Sequence, residues 1–506
     1  MGGGEEVKKI LLTAGALLAW TSVAAAGAGG QSVVSIPAED YKAILERLDT
    51  LQKRVDQMEK AGSPSDKAAS AAMPGKLARD VENIYDTLDK VETKTLKDRI
   101  NLGAELRTRA DFFKVKDNAN LSPGSLVREH NDNHWSNRFR LNLDSEIQKN
   151  LLFTGRITAY KNFSNDAANI YTNDSNAAHV PGDSGLKLDR AYVDWIPEGM
   201  PFPLALTFGR HPSSEGPPSE LKENRLRQST YPSLLFDGEA DGVVATVGLE
   251  RYLGWKNSGI RFAWGKTYQD TNTAVAYMDN YGQALDDSNV YAVFFETEIP
   301  GVRDSLLVLS ALRASDLTAN NYYLGNSEAT SSNNIGDMDL YGIHAQANNV
   351  ADSGFDIFLS TGLNKTRPSG TIGYDTNGSI ATLEGVAGLM NNDGTTSHTG
   401  WAVHTGLRYN IPYKPWNNPK VGFEYNHGSD YWFNFTWGSA ELYNKLATRG
   451  DAYDFYYIQP FNDNLFGRLG YTHINYNYSN SGLHIGDFGD STAQLDNLYF
   501  LLDVRF

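Results

Sequence analysis

The carboxy-terminal residues 493–506 alternate between apolar and mostly polar side chains. Because successive side chains of a β-strand point to opposite faces, this alternation predicts a strand with one apolar wall and one wetter wall. The apolar wall would carry Leu498, Phe500, Leu502, Val504 and Phe506. The opposite wall would carry Asn497, Asp503 and Arg505, together with Tyr499 and Leu501.

The stretch ends on Phe506, and in this it resembles the closing strand of bacterial outer-membrane β-barrels. The resemblance implies that Phe506 is a signal that the barrel-assembly machinery reads. The alternative is an ordinary edge strand of a soluble β-sandwich, which shows the same alternation because one of its faces is also buried.

The same alternation begins at Ile100 and recurs along the rest of the chain. The first predicted strand places charged residues from Glu105 to Asp111 on one face, and the second does so from Arg138 to Glu146. Charged side chains in such numbers cannot line a dry core, because burying them costs too much free energy. They can line water, so the pattern favours a barrel with a polar lumen and an apolar outer face.

The connections between the predicted strands alternate between short and long. Only Lys149 and Asn150 separate the second strand from the third, whereas residues 114–134 separate the first from the second. Transmembrane barrels of bacteria have short periplasmic turns, long outer loops and an even number of strands. We therefore predict an all-β fold: a closed antiparallel transmembrane β-barrel of about sixteen strands over residues 99–506, preceded by a short α-helical coiled-coil region. A soluble sandwich or propeller would not need this alternation.

Composition fits a barrel and excludes several classes of function. The 506 residues carry a formal net charge of -16, which argues against a nucleic-acid partner. Mean hydropathy is -0.44, and a membrane barrel keeps such a polar average because only alternate residues of each strand face lipid. The chain has no cysteine, which excludes disulfides and thiolate metal sites. We predict no cofactor and no metal.

Residues 1–28 have the pattern of a secretory signal peptide. Lys8 and Lys9 precede an apolar run over residues 10–20, and small residues up to Ala28 provide cleavage patterns. The alternative is a retained helical anchor, for which the apolar run is short.

Residues 29–98 are predicted to form a helical stalk in the periplasm. Apolar residues recur at heptad spacing from Tyr41 to Met58 and again from Leu77 to Val91, with a linker rich in Ala, Ser, Gly and Pro between them. Helices this short need a partner to be stable. Two interpretations stay open: a coiled coil that joins copies of the chain into a trimer, or a hairpin that packs on itself.

Charged residues on the inferred inner face are concentrated in the early strands. The predicted pore-lining residues are Arg107, Arg109, Arg138, Arg140, Arg156 and Arg190, with the acids Glu105, Asp144, Glu146 and Asp194. One hypothesis is a basic ladder that favours anionic solutes. The other, which we favour, is a network of ion pairs that holds neighbouring strands in register.

The connection over residues 210–241 would be the third outer loop. In sixteen-stranded general porins the loop at this place folds into the channel and narrows it. Prolines stiffen the segment, and Leu234, Leu235 and Phe236 need burial, which favours a packed loop. The residues predicted to set pore size and field are Arg210, Glu215, Glu220, Lys222, Glu223, Arg225 and Arg227. The alternative is an extracellular cap without a role in permeation.

The stretch from Leu188 to Trp195 and the loop that follows it resemble an uncharacterised bacterial family of porin-like outer-membrane proteins. The resemblance covers most of the chain after Ile100 and is most specific up to Gly242. It implies export, a barrel and a channel role, and it supplies no substrate and no catalytic residue. Similarity to general porins is architectural only.

The sequence therefore predicts an outer-membrane porin, surrounded by outer-membrane lipid, for passive diffusion of small hydrophilic solutes or ions. We assign no catalytic residue, because the ten histidines are scattered and form no metal or nucleophile motif. One alternative is a structural barrel that tethers the envelope through its stalk. Another is a barrel enzyme.

Overall fold

A computed structural model of the protein describes residues 100–116, 130–162, 186–238, 240–268, 288–319, 333–370, 389–390, 393–436, 443–479, 481 and 488–506. The predicted signal peptide, residues 1–28, and the predicted stalk, residues 29–98, lie outside this part of the chain. Sixteen strands of the described residues close into one antiparallel barrel, and two further strands form a small parallel pair. No described helix is long and apolar enough to span a bilayer.

The elements follow one another along the chain as a meander. The strands are β1 (Ile100–Lys116), β2 (His130–Gln148), β3 (Leu151–Asn162), β4 (Leu186–Trp195), β5 (Leu204–His211), β6 (Phe236–Asp237), β7 (Ala240–Gly248), β8 (Gly259–Tyr268), β9 (Ser288–Thr297), β10 (Ser305–Ala319), β11 (Asn333–Ala347), β12 (Phe355–Pro368), β13 (Thr399–Asn410), β14 (Lys420–Gly428), β15 (Phe435–Thr436), β16 (Gly450–Pro460), β17 (Leu465–Tyr476) and β18 (Gln494–Arg505). The described helices are α1 (Ser219–Glu223) and α2 (Glu250–Leu253), with 3₁₀ turns at Val350–Asp352, Lys414–Trp416 and Lys445–Ala447.

The barrel closes by pairing its first strand with its last. β1 runs antiparallel to β18 from the pair Glu105 and Arg505 to the pair Lys116 and Gln494. The backbone N–H of Phe506 then donates to the oxygen of Ala104 at 2.9 Å. Closure removes the free edges that an open sheet would expose to lipid, where unpaired backbone groups are costly.

The predicted strands are all present, and several of them are longer than predicted. Apolar alternation predicts that β10 ends at Arg313, that β11 begins at Met338 and that β12 ends at Leu363. In the structure β10 extends to Ala319, β11 begins at Asn333 and β12 extends to Pro368. All three extensions lie at the ends that carry long connections. Polar residues there interrupt the apolar alternation, while the backbone ladder continues.

Alternation along each strand separates an apolar outer wall from a packed inner wall. On β18, Phe500 is 45% exposed at the outer surface, whereas Tyr499 and Leu501 are fully buried inside. Leu359 on β12 and Phe455 on β16 are exposed on the outer face in the same way. An apolar wall of this extent needs a lipid environment.

The connections alternate in length around the barrel, as the sequence predicts. At one end they are short, for example residues 149–150, 298–304 and 461–464. At the other end they are long, for example residues 369–398 and 429–449. Both ends of the barrel sheet, the start of β1 and the end of β18, lie at the short-turn end.

A charge on the outer wall tests whether this wall faces lipid. Leu359→Arg should destabilise the barrel by about 2–4 kcal/mol, because an arginine near the bilayer midplane is costly. The control Leu253→Arg, in α2 at the short-turn end, should cost about 0–1 kcal/mol. The measurement is the free energy of unfolding by urea in lipid vesicles. Equal effects of the two substitutions would contradict a lipid-facing wall.

Candidate channel constriction

Residues 212–238, which we call the inner loop, lie inside the barrel. A segment that touches strands on opposite sides of a closed cylinder can do so only from within it. Glu215 contacts β2, β3 and β4, Glu223 contacts β1 and β17, Lys222 contacts β16, Glu220 contacts β11, Arg227 contacts β9, and the backbone oxygen of Leu221 contacts Arg408 on β13. The inner loop therefore crosses the lumen.

The local sequence explains how the inner loop packs into so small a space. The hydroxyl of Ser219 donates to the oxygen of Gly216 at 2.6 Å at the start of α1. Asn224 ends the helix in the left-handed conformation, with φ 49°. At Gly216 a Cβ atom would lie 1.8 Å from the oxygen of Tyr231, so only glycine allows the two ends of the loop to approach.

Apolar side chains fix the far end of the inner loop. Leu234 and Leu235 are fully buried against inward-facing residues of β10 and β11, including Val308 and Leu340. Leu235 also lies against the bare backbone of Gly342, where a Cβ would not fit. One side of the lumen is thus apolar and the other is charged.

A second segment also packs inside the barrel, against the inner loop. This capping loop, residues 429–436 and 443–449, pairs β15 with β6 of the inner loop, Phe435 opposite Phe236. Trp432 is fully buried, and its Nε1 donates to the oxygen of Leu446 at 2.9 Å. Lys445 lies between two wall acids, Glu424 and Asp454.

Glu215 is the centre of the first ion-pair cluster. Its carboxylate accepts from Arg140 Nη1 at 2.6 Å and Arg156 Nη1 at 3.0 Å, and it contacts Arg225 of the same loop. Arg190 Nη2 and Arg138 Nη1 lie at 3.6 and 3.7 Å. Its backbone N–H donates to Asp237 Oδ1 at 2.7 Å, which holds the side chain in place.

Glu223 is the centre of the second cluster. It contacts Arg107, and Arg468 Nη1 lies 3.0 Å from its Oε1. Arg107 also pairs with Asp503 at 2.7 Å. Next to Glu223, Lys222 contacts Asp454 on β16. Every one of these side chains is buried.

The remaining charges of the inner loop also find partners on the wall. Arg225 Nη1 lies 3.1 Å from Glu105 Oε1, and Arg227 contacts Glu296. Glu220 accepts from the amide of Gln346 at 3.0 Å. Opposite charges on loop and wall therefore match around the lumen.

The surroundings shift the pKa values of the inner-loop carboxylates in two directions. Burial alone would raise the pKa of Glu215, but the surrounding guanidinium groups, Arg140 foremost, hold it well below its usual range. The pKa of Glu223 is lowered in the same way, against its burial, by Arg107 and its neighbours. Burial raises the pKa of Glu220, which has an amide rather than a cation as its nearest partner.

The structure places the other predicted wall residues apart from these clusters. Arg109 pairs with Asp111 at 2.8 Å, and its guanidinium lies over the ring of Tyr499. Asp144 and Glu146 are exposed near the short-turn end of β2. Asp194 is half-buried and accepts from the hydroxyl of Thr207 on β5.

Arg210 does not belong to the inner loop, so this part of the sequence prediction is wrong. β5 extends to His211 instead of ending at Gly209, and alternation with Phe208 places Arg210 on the outer face. There its Nη2 pairs with Asp241 Oδ2 at 2.7 Å. The strand continues because its backbone ladder with β4 and β7 is unbroken.

Sequence reasoning did not single out several of the wall partners. Among them, Glu424, Asp454 and Arg468 lie on β14, β16 and β17, and all three are buried against side chains of the inner loop or the capping loop. Their inward position follows from strand alternation. Their pairing with loop residues follows only from closure of the barrel.

No metal site is visible in the described parts of the chain. No group of three or more His, Asp or Glu side chains there is placed to hold a metal ion. Asp237, at the end of the inner loop, accepts from the backbone N–H of Glu215. His404 contacts Glu424 at 3.4 Å, and His473 contacts Asp496 at 2.7 Å, each across to a neighbouring strand. Neither of these two contacts includes a nucleophile.

Comparison with known proteins identifies one family. The family described as "Protein of unknown function (DUF3373)" matches residues 128–498. A search of curated proteins finds no match.

Solved structures with a similar backbone include three outer-membrane proteins. OprB of Pseudomonas putida has a TM-score of 0.46 and 12% identity, over 82% of this chain and 96% of its own. The loop L8 deletion mutant of OmpT from Vibrio cholerae has a TM-score of 0.41 and 10% identity, over 80% and 99%. OmpF of Salmonella typhi, solved with daunomycin, has a TM-score of 0.43 and 9% identity, over 80% and 97%.

Removal of one loop carboxylate should show how strongly the ion pairs hold the structure. Glu223→Gln leaves Arg107 and Arg468 buried beside a neutral partner, and it should destabilise the barrel by about 3–5 kcal/mol. The control Asp352→Asn breaks the exposed pair with Arg303 and should cost less than about 1 kcal/mol. Urea unfolding in detergent micelles measures both. A loss at Glu223 as small as that of the control would show that the buried pairs contribute little.

The pH dependence of stability follows from the directions of the pKa shifts. Because the pKa values of Glu215 and Glu223 are lowered, the two carboxylates stabilise the docked loop at any pH above the ordinary glutamate pKa of about 4.3. This stabilisation is lost as the pH falls through the lowered pKa values. Glu220, whose pKa is raised, acts in the opposite direction. We expect the difference in urea stability between the wild type and Glu223→Gln to hold from about pH 7 to pH 5 and to shrink only below about pH 4. A difference that has vanished by pH 5 would contradict these directions.

Proposed function

The chain belongs to the DUF3373 family, and we propose that it is an outer-membrane channel, narrowed by the inner loop, for passive diffusion of small hydrophilic solutes or ions. The proposal needs no chemical step and therefore no catalytic residue. It rests on a closed sixteen-stranded barrel with an apolar outer wall and a charged lumen.

The observation that carries the proposal is the exposure of one apolar side chain inside the barrel. Leu226 lies between Arg225, which reaches Glu105 on β1, and Arg227, which reaches Glu296 on β9. It is nevertheless 74% exposed. Water-accessible space therefore adjoins the inner loop at a point where the loop crosses the lumen.

The ion pairs assign a positioning role to the wall arginines. Arg107, Arg140 and Arg156 each contact a carboxylate of the inner loop. A charge that is paired in this way contributes less to the field in the channel than a free one. These pairs support a network that holds the loop in place, and the loop in turn sets the width of the passage.

A second candidate function is a structural barrel that tethers the envelope through its stalk. The observation that favours it is the extent of internal packing: the inner loop reaches strands around the whole ring, and the capping loop packs against it. A lumen filled in this way would serve as a rigid plug. Conductance separates the two candidates.

Several features of the proposal rest on the sequence alone. These are export through residues 1–28, a periplasmic stalk over residues 29–98, association of copies into a trimer, and recognition of Phe506 by the assembly machinery. In the same proposal, the short-turn end of the barrel faces the periplasm.

A single cysteine at Leu226 tests the channel, because the chain has no native cysteine. Modification of Leu226→Cys by a bulky, water-soluble thiol reagent should reduce single-channel conductance in planar bilayers, since the added group narrows the passage. The control is Ser353→Cys in an exposed turn, where modification should change nothing. Absence of conductance before modification in both variants and in the wild type would favour the structural barrel.

A further inference from the structure

We propose that a group of charged residues on the outer wall, Arg313, Lys365, Arg367 and Asp339, binds the phosphate headgroup of a membrane lipid. We call this group the outer cluster. It lies on three neighbouring strands, β10, β11 and β12. The inference goes beyond the proposed channel, and it rests on that proposal only for the membrane in which the barrel lies.

The outer cluster points away from the lumen. Arg313 is exposed, whereas both of its neighbours along β10 are buried. Along β12 exposed residues alternate with buried ones, and Lys365 and Arg367 belong to the exposed series. In the register of the sheet, Asp339 of β11 lies between Arg313 and Lys365. The four side chains therefore share the outer face of the barrel.

One carboxylate holds both arginines of the outer cluster. Arg313 donates from Nε to Asp339 Oδ1 at 2.6 Å and from Nη2 to Oδ2 at 3.1 Å. Arg367 donates from Nε to the same Oδ2 at 2.6 Å. Asp339 is buried although it lies on the outer face, because the two arginines cover it. The two guanidinium groups are thus fixed side by side.

Both arginines keep N–H donors that the protein leaves unused. Their side chains are 46% and 49% exposed. Within the described residues, Nη1 of Arg313 and both Nη atoms of Arg367 donate to no other group. Lys365 is exposed as well, and it has no ion pair in that part of the chain. Guanidinium groups bind phosphate through several N–H groups at once, so these donors suit a phosphate.

Two acids share this face with the outer cluster, and both are already hydrogen-bonded. Asp339 accepts from the two arginines. Asp337, opposite Arg367 in the register, accepts from the backbone N–H of Asp316 at 3.0 Å. The acids offset part of the positive charge, so recognition of the headgroup would depend on the unused donors of the three cations.

Exposed aromatic side chains place the outer cluster at the surface of the membrane. Two residues nearer to the short-turn end, β11 carries Tyr341 and β13 carries Trp401 in one row, and both are exposed. Aromatic residues form girdles at the two interfaces of transmembrane barrels. The outer cluster lies just beyond this row, at the level of the lipid headgroups, where a charge costs little. In the proposed orientation, the long-loop side faces the outer leaflet.

Lipid A is the probe, because it is a glycolipid that carries phosphate monoesters on its headgroup. Native mass spectrometry of the full-length protein in uncharged detergent micelles should detect barrels with bound lipid A. The double variant Arg313→Gln with Arg367→Gln should bind lipid A at least about tenfold more weakly, since both guanidinium contacts are lost. The control Arg303→Gln, which removes an exposed arginine paired with Asp352 at the short-turn end, should match the wild type.

Dephosphorylated lipid A separates recognition of phosphate from apolar adhesion. The wild type should bind it as weakly as the double variant binds lipid A. Equal binding of the two lipids by the wild type would overturn the proposal. Inorganic phosphate at the concentration of lipid A should leave the bound lipid in place, and displacement would make a free anion the ligand and overturn the lipid assignment.

Heat-modifiable migration on gels reports whether each variant has folded. A folded double variant that binds lipid A as tightly as the wild type would reject the site. If the double variant does not fold, the comparison of lipid A with its dephosphorylated form on the wild type decides.

Lipid binding and conduction fail separately in this design. Lipid binding without conductance would reject the channel and keep the site, because the titration needs no current. Conductance without a preference for the phosphorylated lipid would reject the site and keep the channel.

Discussion

Opposite charges meet inside a closed cylinder, and the internal organisation of this protein depends on that pairing. An arginine on the lumen wall has no bulk water once the inner loop is docked, so each wall cation needs a carboxylate within reach. Glu215 and Glu223 supply two of these carboxylates from one short loop. The same contacts place a loop across the lumen, so wall and loop stabilise each other.

This arrangement links stability to the width of the passage. Buried ion pairs contribute little net free energy compared with apolar packing, but removing one partner is costly. The loop is therefore held in one position, because moving it would leave buried charges without their partners. Burial of Leu234 and Leu235 anchors its other end. A passage beside such a loop would have a defined size, and Leu226 marks the place where water reaches it.

The order of the strands could be predicted from the sequence, because the two-residue alternation of side chains depends only on neighbouring residues. Each strand shows its lipid face in alternate residues, and turn lengths give the direction of the chain. The ends of β10, β11 and β12 could not be predicted, because the ladder continues where the apolar signal stops. Arg210 was misplaced for the same reason, since β5 extends beyond its last apolar residue.

The candidate site could be predicted only in part. Alternation indicates that Arg107 and Asp503 face inward, and burial of Leu235 indicates a packed loop. Which charge meets which could not be predicted: Glu223 and Arg468 are separated by most of the barrel sequence. The sequence by itself determined the barrel, its two walls and the chemical character of each, because these depend on near neighbours along the chain. Only the tertiary structure decided the pairings and the path of the inner loop, because closing the cylinder brings distant strands to face one another.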